Sequence, residues 1–203
     1  MAKKNQIKGS CLALAVLAGV IFQGCSLQSK LSERPVNYKF LDYKGAIRKT
    51  LTPEQAQSFL DNWFFYDSTE NSETSIGESF KVNYKKKKGN CLDYAVCAAA
   101  LLSDNQYQPS ILCMAEENRG HALFVYKKDG KLGALGNTPL EAKYSTVEDL
   151  VKAMKSTYRL HYSNYAIVNL DNLFPNHSWI DGDINAQPKI ISKLKSSCSE
   201  VKE

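Results

Sequence analysis

The polar and apolar positions of the chain change period several times along its length. Residues 1–10 are polar and basic, and Cys11 to Phe22 form an unbroken apolar run of twelve. A membrane-spanning helix needs roughly 20 apolar residues, so a run of this length predicts the core of an export leader rather than a span. Residues 26–50 show little periodicity and predict a polar tether with some aromatic content. Thr52-Pro53-Glu54-Gln55 then predicts a helix start, with Thr52 as N-cap, Pro53 in the first turn and Gln55 placed to complete a capping box. Ala56, Phe59, Leu60, Trp63 and Phe64 recur at helical spacing and predict a core-facing stripe.

Residues 67–79 read as a polar, weakly acidic loop, and Lys85 to Lys88 as a solvated, lysine-rich edge. Cys91 to Leu102, rich in Ala and Leu after Gly89-Asn90, predicts a buried helix. Three strands are expected over Ser110–Met114, His121–Tyr126 and Lys131–Leu135, the last two joined through an Asp129-Gly130 hairpin turn. Thr146 opens a further helix carrying Val147, Leu150, Val151, Met154 and Tyr158 on one face, and Tyr165–Leu170 predicts one more strand. After Pro175 the chain is polar, and it is Lys-rich near its end. Helices that precede an antiparallel sheet make an α+β domain.

Composition narrows the possibilities. The 203 residues are 43% hydrophobic and 23% charged, with 11 Gly and 6 Pro, which excludes disordered and fibrous classes. The formal charge is +5, and removing Lys3, Lys4 and Lys8 with the leader leaves +2. So slight a charge offers nothing to a nucleic acid.

The apolar run ends in Gln23-Gly24-Cys25 and turns polar at Ser26. A small residue before Cys at this point resembles the lipobox of bacterial lipoproteins. That resemblance implies cleavage after Gly24, acylation of Cys25 and anchoring in a membrane, each buried CH₂ contributing ~0.8 kcal/mol. Ser26, where an inner-membrane retention signal has Asp, favours the periplasmic face of an outer membrane where the host has one. An ordinary secretory leader with Cys25 as a free thiol is the alternative.

Acyl transfer by sulfur needs a thiolate, a base within hydrogen-bond reach and donors for the oxyanion. Cys91 stands at a predicted helix start, where free N–H groups and the macrodipole favour negative charge and lower a thiol pKa. His121 begins a strand in which His121, Leu123 and Val125 share one face and Ala122, Phe124 and Tyr126 the other. A helix start packed on the His121 face would bring imidazole and thiol together. Asn137, beyond the next strand, is a candidate to orient the ring. Tyr84 or Asn90 is a candidate second oxyanion donor, Asp93 a surface or helix-start charge, and His161 and His177 surface residues. Cys97 and Cys113 are candidates for a disulfide in an oxidising compartment, with Cys198 also available. A zinc site from Cys91, Cys113 and His121 has no ligand spacing behind it, and no metal or cofactor is expected.

Gly89-Asn90-Cys91-Leu92-Asp93-Tyr94-Ala95, then Leu101-Leu102, then Gly120-His121-Ala122-Leu123-Phe124-Val125, resembles the transglutaminase-like cysteine peptidases, permuted relatives of the papain fold. The likeness spans roughly residues 80–140. It implies a transglutaminase/papain-like core of N-terminal helices on an antiparallel sheet, with Cys91 as nucleophile and His121 as acid/base. Where that family has Asp, the chain reads Leu135-Gly136-Asn137-Thr138. Either Asn137 replaces the Asp with a one-residue shift, or the position is Gly136 and the triad is incomplete.

The organisation expected is thus a signal peptide over 1–24, a tether over 25–50, a transglutaminase-like domain over 51–175 and a polar tail over 176–203. The expected activity is thioester-mediated hydrolysis or acyl transfer on a peptide or amide substrate in the cell envelope. Its partners are a membrane, through acylated Cys25, and that substrate. The alternative is a non-catalytic envelope lipoprotein that keeps the fold for binding.

Overall fold

A computed structural model describes residues 34–67, 78–116, 119–158, 162 and 164–182. The leader, Cys25, His161 and Cys198 lie outside the described residues, together with the expectations attached to them. Folding is already established at Tyr38, within the stretch expected to be a tether. A 3₁₀ turn at Tyr38–Phe40 leads into helix α1 (Tyr43–Lys49), whose N-cap Asp42 accepts from the Gly45 N–H at 2.7 Å. Tyr38, Ala46, Ile47 and Thr50 are buried. The Tyr38 hydroxyl lies 2.9 Å from Thr50 Oγ1 and 3.1 Å from the Gln55 carbonyl oxygen. One turn followed by a seven-residue helix is too short to display a period, which is why the stretch reads as a tether.

Helix α2 (Pro53–Trp63) is capped by Thr52 Oγ1, but Gln55 Oε1 reaches back one residue further than a capping box requires and accepts from the Leu51 N–H at 2.8 Å. The predicted stripe is buried at Ala56, Phe59 and Leu60, and Phe59 stacks on Tyr84 at 5.7 Å between centroids. Strand β1 (Phe65–Tyr66) pairs in parallel with β2 (Lys88–Gly89), on either side of helix α3 (Phe80–Lys86) in sequence. The lysine run is therefore the end of a helix and the start of a strand. Lys86 pairs with Glu78, Lys88 with Asp67 at 3.0 Å, and the Lys87 ammonium sits 5.4 Å from the Trp63 ring centroid.

Helix α4 (Cys91–Leu101) is buried at every residue from Leu92 onward. An all-apolar helix needs cover on all sides, and α4 finds it between the N-terminal helices and the sheet. The sheet comprises β3 (Ser110–Glu116), β4 (Arg119–Lys128), β5 (Lys131–Leu135), β6 (Leu140–Tyr144) and β7 (Asn164–Asn169), all antiparallel in the order β6-β5-β4-β3-β7. One face, with Ile111, Ala122, Phe124 and Tyr126, packs with α4. The other, with Leu112, Leu123 and Val125, packs with helix α5 (Val147–Tyr158).

Leu170, expected to end the last strand, instead opens the one-turn helix α6 (Leu170–Leu173). Helix α7 (Ser178–Asp181) follows, and its Trp179 is 2% exposed and donates its indole N–H to Asp171 Oδ1 at 2.9 Å. Ordered packing thus continues past Pro175, into residues expected to form a polar tail. Cys97 and Cys113 are separate buried thiols, so the disulfide considered between them is not formed.

Candidate active site

Cys91 is the first residue of α4, and its place is set by a buried capping network. Asn90 Oδ1 accepts from the N–H groups of Leu92 at 2.9 Å and Asp93 at 3.3 Å, while Asp93 Oδ2 accepts from the Asn90 N–H at 3.0 Å. Asp93 Oδ1 takes the Glu78 N–H and Asn83 Nδ2, each at 3.0 Å. Asp93 is 1% exposed, so it is the helix-start charge and not a surface one. Gly89 is required by shape, because a Cβ there would lie 2.5 Å from Asp93 Cβ.

The sulfur meets the sheet where β5 falls short of β4. β5 ends at Leu135, opposite Phe124, so no β5 residue pairs with Ala122. There the backbone amide of Ala122 acts on the Cys91 sulfur and favours its thiolate form, as do the amides of Leu92 and Cys91 itself. Burial nevertheless dominates and pushes the thiol pKa up, with the Asp93 charge adding to the rise. The lowering expected from the helix start is present in the Leu92 and Cys91 amides but is outweighed by burial.

His121 is the residue next to that amide, but α4 packs on the opposite face of β4 from the one expected. Ala122 faces α4, and the His121 ring lies parallel to Tyr162 at 6.2 Å, among residues of the α5 side. Its Nε2 lies 2.7 Å from Thr138 Oγ1. His121 is 8% exposed, and burial takes its pKa down to about 4, so at neutral pH the ring is uncharged.

The hydrogen bond expected from Asn137 is thus made by its neighbour, and Asn137 Oδ1 is buried without a partner. Gly136 has φ +154°, and a Cβ on it would come 2.7 Å from Leu123 Cδ2. Gly136 therefore meets a demand for backbone shape rather than standing as a defective Asp. Tyr84 is drawn off to the Leu41 carbonyl at 2.8 Å, which removes it as an oxyanion donor. Tyr66, half exposed and 6.0 Å from the Tyr94 ring, is close enough for a thiolate at Cys91 to raise its pKa further after burial has raised it. His177 is exposed and pairs with Asp171 at 2.9 Å, outside this site. Among the described residues, no three His, Cys, Asp or Glu side chains gather as metal ligands.

Residues 40–158 match the family model described as transglutaminase-like domain. The chain belongs to that transglutaminase-like family. The match runs from the turn before α1 through α5 and contains Cys91, His121 and Thr138. A comparison with curated proteins gives no match. In this transglutaminase-like domain, Thr138, Tyr162 and Gln57 escaped the sequence reading. Thr138 stood one place beyond Asn137 and offers the same hydrogen-bonding capacity. Tyr162 and Gln57 carry no local signal.

Proposed function

We propose that this transglutaminase-like domain performs acyl transfer through a thioester on Cys91, with His121 moving the proton, in a lipoprotein anchored through Cys25. What supports the reading is a cysteine at the start of α4, acted on by the Ala122 amide one residue from His121 in β4, within a transglutaminase-like domain. With thiol and imidazole both neutral at rest, the proton leaves sulfur as sulfur attacks the carbonyl carbon. The S–C bond forms, the carbonyl π pair moves onto oxygen, and His121 holds the proton as imidazolium. That proton passes to the leaving amine as the C–N bond breaks. Water then attacks the thioester carbonyl, releases the acid and restores the thiol. The backbone N–H of Cys91, the one at the start of α4 that Asn90 does not take, is the donor for the developing oxyanion. The anchor is supported by the apolar run ending in Gly24-Cys25.

The test is capture of an acyl-enzyme with a peptide active ester, followed by mass analysis of the Cys91 peptide. His121→Ala is expected to slow acylation by about 10²–10⁴-fold. Cys25→Ser is expected to release the protein from membranes, and unchanged membrane association would defeat the anchor. A second reading, a binding module that keeps the fold, draws on one observation: burial leaves both the thiol and the imidazole uncharged at rest. Absence of any thioester at Cys91 would favour that reading.

A further inference from the structure

A single side chain connects the N-terminal helices to the turn that holds the imidazole. Gln57, on α2, lies 79 residues before Gly136 and bonds both polar groups of that residue. The Gly136 N–H donates to Gln57 Oε1 at 3.2 Å, and Gln57 Nε2 donates to the Gly136 carbonyl at 2.9 Å. Nε2 also donates to Asp61 Oδ1 at 2.8 Å, which fixes the amide from its own helix. Gly136 follows the last residue of β5 and precedes β6, so it has no strand neighbour in this position. The carboxamide offers one donor and one acceptor side by side, as a neighbouring strand would.

We propose that Gln57 is a positioning residue for His121, acting through the Gly136–Thr138 turn. A turn held at both the N–H and the C=O of Gly136 resists sliding and rotation. Two residues later, Thr138 meets Nε2 of the ring at 2.7 Å. Release of Gly136 therefore frees Thr138 and admits water to a ring that is otherwise dry. The catalytic consequence rests on the thioester reading, but the hold on the ring does not.

The experiment is an NMR titration of the His121 ring in the full chain carrying Gln57→Met, which keeps side-chain length and removes both hydrogen bonds. The expected result is a rise in apparent pKa from about 4 toward 6.5, with Thr138→Gly, which opens the same space beside the ring to water, producing a similar rise. In the double variant the two effects are expected not to add, as for residues acting through one contact. A folded Gln57→Met with the parental titration, or shifts that add in full, would overturn the proposal. Should Gln57→Met fail to fold, Gln57→Ala is read by the same criteria. Because the readout is the ring and not turnover, it holds even where no thioester is found.

Discussion

The two helices that flank the sheet are built on opposite plans. α4 is buried from Leu92 to Leu101, whereas α5 buries Leu150, Val151 and Met154 along one stripe. Ala95, Ala98, Ala99 and Ala100 let α4 lie close to elements on every side, while α5 rests against the sheet and turns its charged face to water. The sulfur is carried by the helix packed on all sides, and the imidazole faces the side covered by the helix that buries one stripe.

Replacing Asp93 would break this contrast most severely. Asp93→Ala takes the acceptor from the N–H groups of Asn90 and Glu78 and from one of the two amide hydrogens of Asn83, which keeps the Glu78 carbonyl. We expect a loss of roughly 3–5 kcal/mol in denaturant unfolding.

Acid is next in size. Folded His121 titrates at about 4 against an ordinary 6.5, so the unfolded chain takes up the proton first as pH falls. The His121 contribution is complete above about 6.5, declines through the interval and levels off below about 4, a total loss of roughly 3 kcal/mol. Stability measured against pH in His121→Gln is expected to lack that slope.

Thr138→Val removes one hydrogen bond to the ring, and about 1 kcal/mol of stability is expected to go with it. The thiols of α4 sharpen the contrast without mutation. In the folded protein an alkylating agent is expected to modify Cys91 and to reach Cys97 only on unfolding, with the Cys91 rate rising above the ordinary thiol range. The smallest effect belongs to the outer helix, where Lys152→Ala is expected to stay within about 0.5 kcal/mol.

Much of this arrangement was legible in the residues. α4 announced itself through Gly89-Asn90 and its alanines, α5 through Thr146 and its apolar stripe, and the β4–β5 hairpin through Asp129-Gly130. β6, at the sheet edge with Leu140 buried, Glu141 exposed and Ala142 and Tyr144 half-buried, carried too little apolar content to stand out. α1 and α3 span two turns each, below the length at which a period can be counted. In the candidate site, Cys91 and His121 could be chosen by residue type and spacing. The facing of α4 could not, because either side of a strand that is apolar on both faces would have served. Thr138 and Gln57 depend on contacts across long separations, which no local pattern encodes.

The early end of β5 has a wider implication. Two more paired residues would complete the hairpin, and the Ala122 amide would then belong to a neighbouring strand instead of to sulfur. No side chain of the candidate site would change, yet the surroundings of the thiol would. Within this fold, hairpin length alone decides whether the Ala122 amide faces the thiol or a neighbouring strand.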